Sequence, residues 1–407
     1  MDCGLLGRVL GHSYSPEIHK KLGSYAYRLY EVEPENLEDF LKEGRFSGLN
    51  VTIPYKKAVI PYLQELTPIA KRLGAVNTIV RKSDGSLLGH NTDYFGFLTM
   101  VRHSKLEVAG KKALVLGSGG ASNMAVAALR DLGAQVVVIS RKGENTYENL
   151  SRHADASVIV NATPVGMYPQ VGVSHVDLSL FNRLEGVLDL IYNPARTRIL
   201  LDAEAKGCRV ENGLLMLVAQ AWESAQWFTG QKLEEKQIFS IHRQMRNQME
   251  NLVLIGMPGC GKSTLGALAA KMLNRTFVDA DEELEKKYGS IPEIFRTQGE
   301  EGFRKLETQI LGELGKQSSL VIATGGGCVT RQENYDLLRQ NGRIFYICRE
   351  LSELPRDGRP LSQSQGIQAL YEKRKPLYEA FADVTLENSS SPRDCAERII
   401  SQWEEQP

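Results

Sequence analysis

Three groups of residues in this chain have the types and spacing to do chemistry. The first is Gly256-x-x-x-x-Gly261-Lys262-Ser263, directly after a short apolar run at 252–255. This is the pattern of a phosphate-binding P-loop. Its glycines, Gly259 and Gly261 among them, let the backbone turn tightly, so that several N–H groups face one concavity suited to phosphate. Lys262 offers a point charge to the outer phosphates, and Ser263, followed by Thr264, offers a hydroxyl to Mg²⁺. The second group is Gly117-x-Gly119-Gly120-Ala121, between an apolar strand at 113–116 and a helical stretch at 123–132. A glycine turn inside a βαβ unit is a dinucleotide-binding feature, although this spacing departs from G-x-G-x-x-G. The next strand ends in Ser140-Arg141-Lys142. An acidic residue there accepts ribose hydroxyls, whereas cations suit a 2′-phosphate, so Arg141 and Lys142 favour NADP. The third group is a pair of carboxylates, Asp279 and Asp281, that closes a strand at 276–281, and a glycine run, Gly325–Gly327, after the strand Leu320–Ala323.

The elements that must position these groups alternate between strand and helix, as in α/β proteins. Before the first glycine turn, strands are expected at 49–53 and 74–80, with a hairpin signal at Asp84-Gly85. Ser15 reads as a helix N-cap followed by Pro16, and Asp93, taken alone, as a cap for the helix at 94–101. Further strands are expected at 157–160, 186–190 and 343–348, and helices at 213–228, 291–316 and 370–381. The polar stretch 230–250 reads as a helix end plus linker, and 356–364 as a mobile loop. The two phosphate loops differ in type, so the chain is not a simple duplication.

At 407 residues the chain predicts two or three domains. Its 42% hydrophobic and 24% charged content is that of globular material. A formal net charge of zero gives no reason to expect nucleic acid or an anionic membrane as partner. The six cysteines are scattered without a CxxC pair, which suits reduced thiols in the cytoplasm. No signal peptide or membrane span is apparent.

Residues 1 to about 245 resemble shikimate dehydrogenase in ordered stretches: HSYSP (12–16), NVTIPYK (50–56), GAVNTI (74–79), NTDYFG (91–96), GSGGAS (117–122), NATPVGM (161–167), YNPARTRIL (192–200) and MLVAQA (216–221). The resemblance implies a substrate domain at 1–98 with returning helices at 214–246, and a Rossmann NADP-binding domain at 99–213. It also implies that Lys56 and Asp93 form the catalytic pair. Reducing a ketone with a nicotinamide hydride needs a proton donor, which a Lys ammonium oriented by a carboxylate supplies. The implied substrate contacts are Ser13, Ser15, Tyr192 and Thr52 for a carboxylate, and Asn77 and Gln220 for ring hydroxyls. The implied cofactor contacts are Gly117, Gly119, Gly120 and Ala121 at the pyrophosphate turn, Arg141 at the 2′-phosphate, and Thr163 and Met216 near the nicotinamide. Two departures stand out: Ser140-Arg141-Lys142 replaces the usual Asn-Arg-Thr, and Pro164 removes a hydroxyl and a backbone donor.

Residues from about 250 to 407 resemble shikimate kinase through GMPGCGKST (256–264), FVDADEELE (277–285), GEEGFRKLE (299–307), TGGG (324–327), GRPL (358–361) and YEKRKPLY (371–378). The resemblance implies a P-loop kinase domain at 247–407, a doubly wound parallel sheet. By the same resemblance Asp281, Arg304, Gly326 and Arg374 hold shikimate, with Asp281 near the attacking oxygen. Asp279 and Ser263 serve Mg²⁺, and Arg359 is a lid arginine closing on ATP. Guanidinium groups suit a carboxylate because they bind it in a bidentate manner. Taken alone, Arg304 also suits surface pairing with Glu301 and Glu307. The lid region is shorter than usual.

Together these readings imply a bifunctional enzyme of the shikimate pathway. It would reduce 3-dehydroshikimate with NADPH and phosphorylate the resulting shikimate with MgATP, with small molecules as its partners. Two other readings use the same features: a quinate/shikimate dehydrogenase joined to another small-molecule kinase, and a non-catalytic module that binds NADP or shikimate.

Overall fold

The structure, a computed structural model, describes residues 1–11, 13–354 and 366–405. The expected loop at 356–364, with Arg359, lies outside the described residues. The chain divides into two compact units. One comprises Met1–Met167, Gly172–Tyr192 and Arg198–Met245; the other comprises Tyr168–Val171, Asn193–Thr197 and Arg246–Pro407.

The first unit holds two sheets. One contains β1 (Asp2–Gly7), β2 (Ala26–Glu31), β3 (Gly48–Val51), β4 (Glu65–Leu66), β5 (Thr78–Arg81) and β6 (Leu87–His90), in the order β2-β1-β3-β5-β6-β4. β1 pairs in parallel with β2 and β3, while β5 runs antiparallel to β3 and β6. β3 is buried along its whole length, as in a strand covered on both faces. It stops short of residue 53 because the Tyr55 N–H bonds the Thr52 carbonyl and starts a turn. β5 starts later than expected because Gly74, at φ +59°, is still closing the helix Pro68–Leu73.

The other sheet is parallel throughout: β7 (Lys112–Leu116), β8 (Gln135–Ile139), β9 (Val158–Asn161), β10 (Gly186–Asp189) and β11 (Arg209–Glu211), in the order β11-β10-β9-β7-β8. The strand order reverses between β7 and β9. This is the switch point, where open α/β sheets bind ligands beyond their carboxyl ends.

The helix Leu214–Thr229 returns to pack on the helix Asp93–Ser104. Gly96 permits the approach, since a Cβ there would lie 2.7 Å from the Met216 carbonyl oxygen and 3.2 Å from the Gln220 Cβ. The polar stretch read as a linker is instead largely helical, from Lys236 to Met249. Ile238, Ile241, Met245 and Met249 are buried at three- and four-residue intervals. That stripe is enough to anchor a helix whose other positions are polar.

The second unit is built on β12 (Asn251–Ile255), β13 (Thr276–Asp279), β14 (Leu320–Ala323), β15 (Gly342–Cys348) and β16 (Val384–Glu387), all parallel, in the order β13-β14-β12-β15-β16. Every residue of β12 is buried. The expected helix at 291–316 spans Ile291–Gly315 and breaks at Gly299, where φ is +70°. An unanticipated helix, Pro392–Glu405, buries Cys395, Ala396, Ile399 and Trp403 against the core. Among the described residues no helix is long and apolar enough to cross a membrane.

Gly96→Ala should destabilise the first unit. Crowding a tight helix contact costs about 1–3 kcal/mol, partly offset by about 1 kcal/mol of helix propensity. Hydrogen exchange read on peptides from the helices Asp93–Ser104 and Leu214–Thr229 should become faster. Unchanged exchange would show that the two helices separate without cost.

Candidate active sites

In the first unit, residues from distant parts of the chain line one cavity of about 230 Å³. Ser13 and Ser15 come from the start of the helix Ser15–Leu22, and Thr52 follows β3. Lys56 lies on the short helix Tyr55–Ala58, Asn77 precedes β5, and Tyr192 follows β10. Met216 and Gln220 come from the helix Leu214–Thr229. Asp93 is the first residue of its helix and not the cap, which is Thr92. Its carboxylate is turned instead to Lys56, whose Nζ donates to Oδ2 at 2.6 Å. Asn77 Nδ2 donates to the other oxygen at 2.9 Å and to Thr92 Oγ1 at 3.0 Å. Its Oδ1 accepts the Thr92 N–H at 2.7 Å. The Asn77 amide is therefore largely used in fixing Asp93.

Ser15 does not cap its helix; the N-cap is Tyr14, with no side-chain bond. Ser15 lines the cavity, while its N–H donates to Ser13 Oγ at 3.2 Å. Tyr192 meets Tyr14 edge-on at 6.1 Å between ring centroids. Burial raises the Tyr192 phenol, which keeps it a neutral donor. Gln220 Nε2 donates to the Leu217 carbonyl at 2.7 Å, which directs its oxygen away from its own helix backbone. Sequence reasoning missed Ser224. Its buried hydroxyl bonds Asn50 Nδ2 at 2.7 Å and both Thr78 and Thr92 at 3.1 Å, joining the returning helix to the wall that carries Asn77. A serine inside a helix gives no sequence signal of such a role.

The glycine turn follows β7 at the switch point. Gly117 has φ +104°, and a Cβ there would lie 3.0 Å from Thr163 Cγ2. Thr163, after β9, faces it across the crevice and bonds Asn161 Oδ1 at 2.7 Å. Gly119 caps the helix Gly120–Asp131, and the space beside Gly119 and Gly120 is open. Ser122 Oγ donates to the Gly117 carbonyl at 2.7 Å and stitches the turn. Gly119, Gly120 and the exposed Ala121 thus place first-turn N–H groups at open space, which fits a pyrophosphate. Arg141 and Lys142 are exposed beyond β8, where a 2′-phosphate would lie. Met216, expected near the nicotinamide, lines the cavity that holds Lys56 and Asp93.

In the second unit a cavity of about 640 Å³ is lined by Gly259, Gly261, Lys262, Ser263, Thr264, Asp279, Asp281, Arg304, Gly326 and Arg374. Gly256, Gly259 and Gly261 have φ of +146°, +85° and +103°, values that other residues adopt only with strain. Lys262 Nζ donates to the carbonyls of Gly256 at 2.9 Å and Met257 at 3.0 Å. Ser263 Oγ donates to Asp279 Oδ2 at 2.6 Å, so a hydroxyl and a carboxylate sit together. This hard, all-oxygen pair fits Mg²⁺, which takes few protein ligands and completes its shell with phosphate and water. Asp279 also caps the helix Ala280–Tyr288 by accepting the Asp281 N–H at 3.0 Å. Cys260 is fully buried within the loop.

Burial, reinforced by Glu307 and Asp279, raises the Asp281 carboxyl to about 6, against the pull of Lys262 and Arg304. A Cβ on Gly325 would lie 2.7 Å from both Asp281 Oδ1 and Glu307 Oε1, so only glycine fits between them. Arg304 is buried and pairs with Glu307 at 2.7 Å and Glu300 at 3.5 Å. Glu301, one of its expected partners, pairs with Arg331 instead. The reason is periodicity: Glu300 and Glu307, four and three residues away, share the face of Arg304. The Arg304 guanidinium lies against Gly327, and Arg374 Nη1 donates to the Gly326 carbonyl at 3.0 Å. Two buried arginines thus flank the glycine run. Among the described residues the N–H groups of Gly325, Gly326 and Gly327 have no backbone acceptor. Free amides between two guanidinium groups suit an anionic ligand.

A family model described as shikimate dehydrogenase substrate binding domain matches residues 5–79, and one described as shikimate kinase matches residues 258–404. A shikimate dehydrogenase (NADP(+)) of Clostridium beijerinckii is 35% identical over 268 residues, covering 61% of this chain and 98% of that protein. One from Dehalococcoides mccartyi is 38% identical over 260 residues, covering 56% and 90%. Among solved structures, a chorismate mutase/shikimate 5-dehydrogenase fusion protein from Clostridium acetobutylicum has a TM-score of 0.57 at 37% identity, covering 60% of this chain and 96% of that one. The Thermus thermophilus shikimate 5-dehydrogenase in complex with NADP(H) and shikimate has a TM-score of 0.55 at 33% identity, covering 60% and 99%. With a fold, two cavities and matches that agree over both parts, this chain belongs to the shikimate dehydrogenase family and continues into a shikimate kinase domain.

Proposed function

We propose that the chain carries out two consecutive steps on one carbon skeleton. The first unit reduces 3-dehydroshikimate to shikimate, and the second phosphorylates the 3-hydroxyl of shikimate, toward chorismate and the aromatic amino acids. The observation that carries the proposal is the pairing of two built sites. One has the Lys56–Asp93 contact in a cavity of the same unit that carries a dinucleotide turn. The other has Arg304 and Arg374 around a glycine loop beside a P-loop. We place the enzyme in the cytoplasm, where its six free cysteines would stay reduced.

NADPH, when bound, supplies the hydride. The Lys56 ammonium then gives a proton to the oxygen that develops negative charge, and Asp93 holds that ammonium in line. Ser13, Ser15, Thr52 and Tyr192 offer hydroxyls to the substrate carboxylate, and Gln220 offers its oxygen to a ring hydroxyl. Gly119, Gly120 and Ala121 face the pyrophosphate, Arg141 the 2′-phosphate, and Thr163 and Met216 the nicotinamide side.

In the kinase half, Lys262 exchanges its two loop carbonyls for phosphate oxygens, and Ser263 and Asp279 hold Mg²⁺, which supplies charge neutralisation. Gly259, Gly261 and Thr264 complete the phosphate cradle. Asp281 orients the attacking hydroxyl and accepts its proton, a task suited to a carboxyl raised toward neutrality. Arg304, Arg374 and the Gly326 loop hold the carboxylate. Arg359, outside the described residues, is the lid cation in this scheme.

A coupled assay with 3-dehydroshikimate, NADPH and MgATP should yield shikimate 3-phosphate; accumulation of shikimate would remove the kinase step from the proposal. Activity on quinate in place of shikimate would redirect the first half. Lys56→Ala should lower the reduction rate about 10²–10⁴-fold while shikimate binding persists, and normal turnover would refute its role. Lys262→Ala should abolish phosphorylation and leave NADPH oxidation intact. If both activities stopped, the two sites would not be independent. Arg141→Asp should shift preference from NADPH toward NADH, read as the ratio of kcat/KM for the two; an unaltered ratio would remove Arg141 from the cofactor site.

A further inference from the structure

Tyr378 is fully buried on the helix Ile367–Phe381, four residues after Arg374 and so on the same face. It does not line the kinase cavity. Its hydroxyl donates to the carbonyl of Gly326, the same oxygen that Arg374 Nη1 bonds at 3.0 Å. Its ring stacks on Tyr346 of β15 at 5.0 Å and 18°, which fixes where the hydroxyl can reach. Gly326 is also confined by the P-loop, since a Cβ there would lie 2.6 Å from Cδ of Pro258.

A carbonyl oxygen has two lone pairs, and here each has a donor. The peptide that begins at this carbonyl carries the Gly327 N–H on its opposite edge, because the peptide unit is planar. Holding the oxygen therefore also sets the direction of that free amide. The Arg374 guanidinium has a second demand on it, since on the proposed function it turns to the substrate carboxylate. If it were the sole donor to Gly326, taking the carboxylate would leave the carbonyl unbonded and the loop free to turn.

We propose that Tyr378 is a positioning residue for the acceptor side of the kinase site: its hydroxyl keeps the Gly326 carbonyl bonded and the Gly326–Gly327 peptide oriented, which releases Arg374 to bind the carboxylate of shikimate. This rests on the reading of the cavity as a shikimate kinase site. Burial raises the Tyr378 phenol, so it remains a protonated donor. The sequence signal was present but unassigned, since YEKRKPLY ends on this tyrosine.

The test is steady-state kinetics of phosphorylation by the full chain, which separates this site from shikimate binding in the first unit. Tyr378→Phe keeps the ring and removes the hydroxyl. It should raise KM for shikimate about 5- to 30-fold while KM for MgATP and the rate of NADPH oxidation stay within about twofold. Tyr346→Phe keeps the ring stack and removes a hydroxyl that makes no contact with Gly326, and it should leave KM for shikimate at the wild-type value. An unchanged KM for shikimate in Tyr378→Phe, an equal rise in KM for MgATP, or the same rise in Tyr346→Phe would each overturn the proposal. If Tyr378→Phe does not fold, Tyr378→Leu removes the donor with a smaller buried side chain, and a KM for shikimate equal to that of wild type there would overturn the proposal. A wild-type chain that phosphorylates another small alcohol but not shikimate would overturn the reading of the site, and this proposal with it.

Discussion

Parallel strands need long crossovers, and this constraint shapes both units. Each strand must be followed by a connection that crosses back over the sheet, so all carboxyl ends collect on one edge. Where the strand order reverses, two such connections diverge and leave a crevice. In the parallel sheet of the first unit that crevice lies between β7 and β9, and Gly117 and Thr163 are its two lips. In the kinase sheet β12 sits between β14 and β15, and the P-loop and the glycine run leave from adjacent strands. The chemistry of each site is then a matter of which side chains can enter the crevice without filling it. Gly325 shows how tight that limit is, because two carboxylates occupy the space a side chain would need.

Bringing charge into such crevices is costly unless it is partnered. The kinase site has buried Lys262, Arg304 and Arg374 together with buried Glu307 and the carboxyl of Asp281. Before any ligand is considered, the cations are already bonded: Lys262 to loop carbonyls, Arg304 to Glu307, and Arg374 to the Gly326 carbonyl. These partners differ in kind. A neutral carbonyl is a weaker competitor than a carboxylate, so Lys262 and Arg374 are more readily drawn to an anion than Arg304, whose bond to Glu307 is charge-assisted. Arg304 is thereby a fixed wall, and the other two are movable contacts.

The phosphate loops were legible because they are local. Strand, glycine spacing and following helix all lie within about 20 residues, and the backbone alone does much of the binding. The parallel sheets were legible from apolar runs such as β12 and β14. What was ambiguous or hidden depended on tertiary partners. Ser15 and Asp93 look like caps because caps and ligands use the same short polar side chains, and only the position of Lys56 decides the case for Asp93. The helix Lys236–Met249 was hidden because its apolar stripe is narrow and the rest of it is polar. Ser224 gave no signal of its role, and the stretch that ends on Tyr378 gave none of the group it holds, since each acts on groups more than 50 residues away in the chain.

Under the proposed function the two sites solve the same recognition problem differently, and physical chemistry accounts for the difference. Both would bind the carboxylate of one ring acid. The first offers neutral hydroxyls, and the second offers guanidinium groups. In the kinase that carboxylate shares a cavity with a triphosphate, and like charges in a poorly solvated space repel strongly. Two arginines there offset a repulsion that hydroxyls would leave in place. In the dehydrogenase the cation that matters is Lys56, held 2.6 Å from Asp93. A guanidinium beside it would compete for Asp93 and weaken the line along which Lys56 gives its proton. Hydroxyl donors bind the carboxylate without adding charge, so they leave the Lys56–Asp93 pair as the dominant local field. The choice of donor therefore follows from what else each site must hold, and not from the ligand alone.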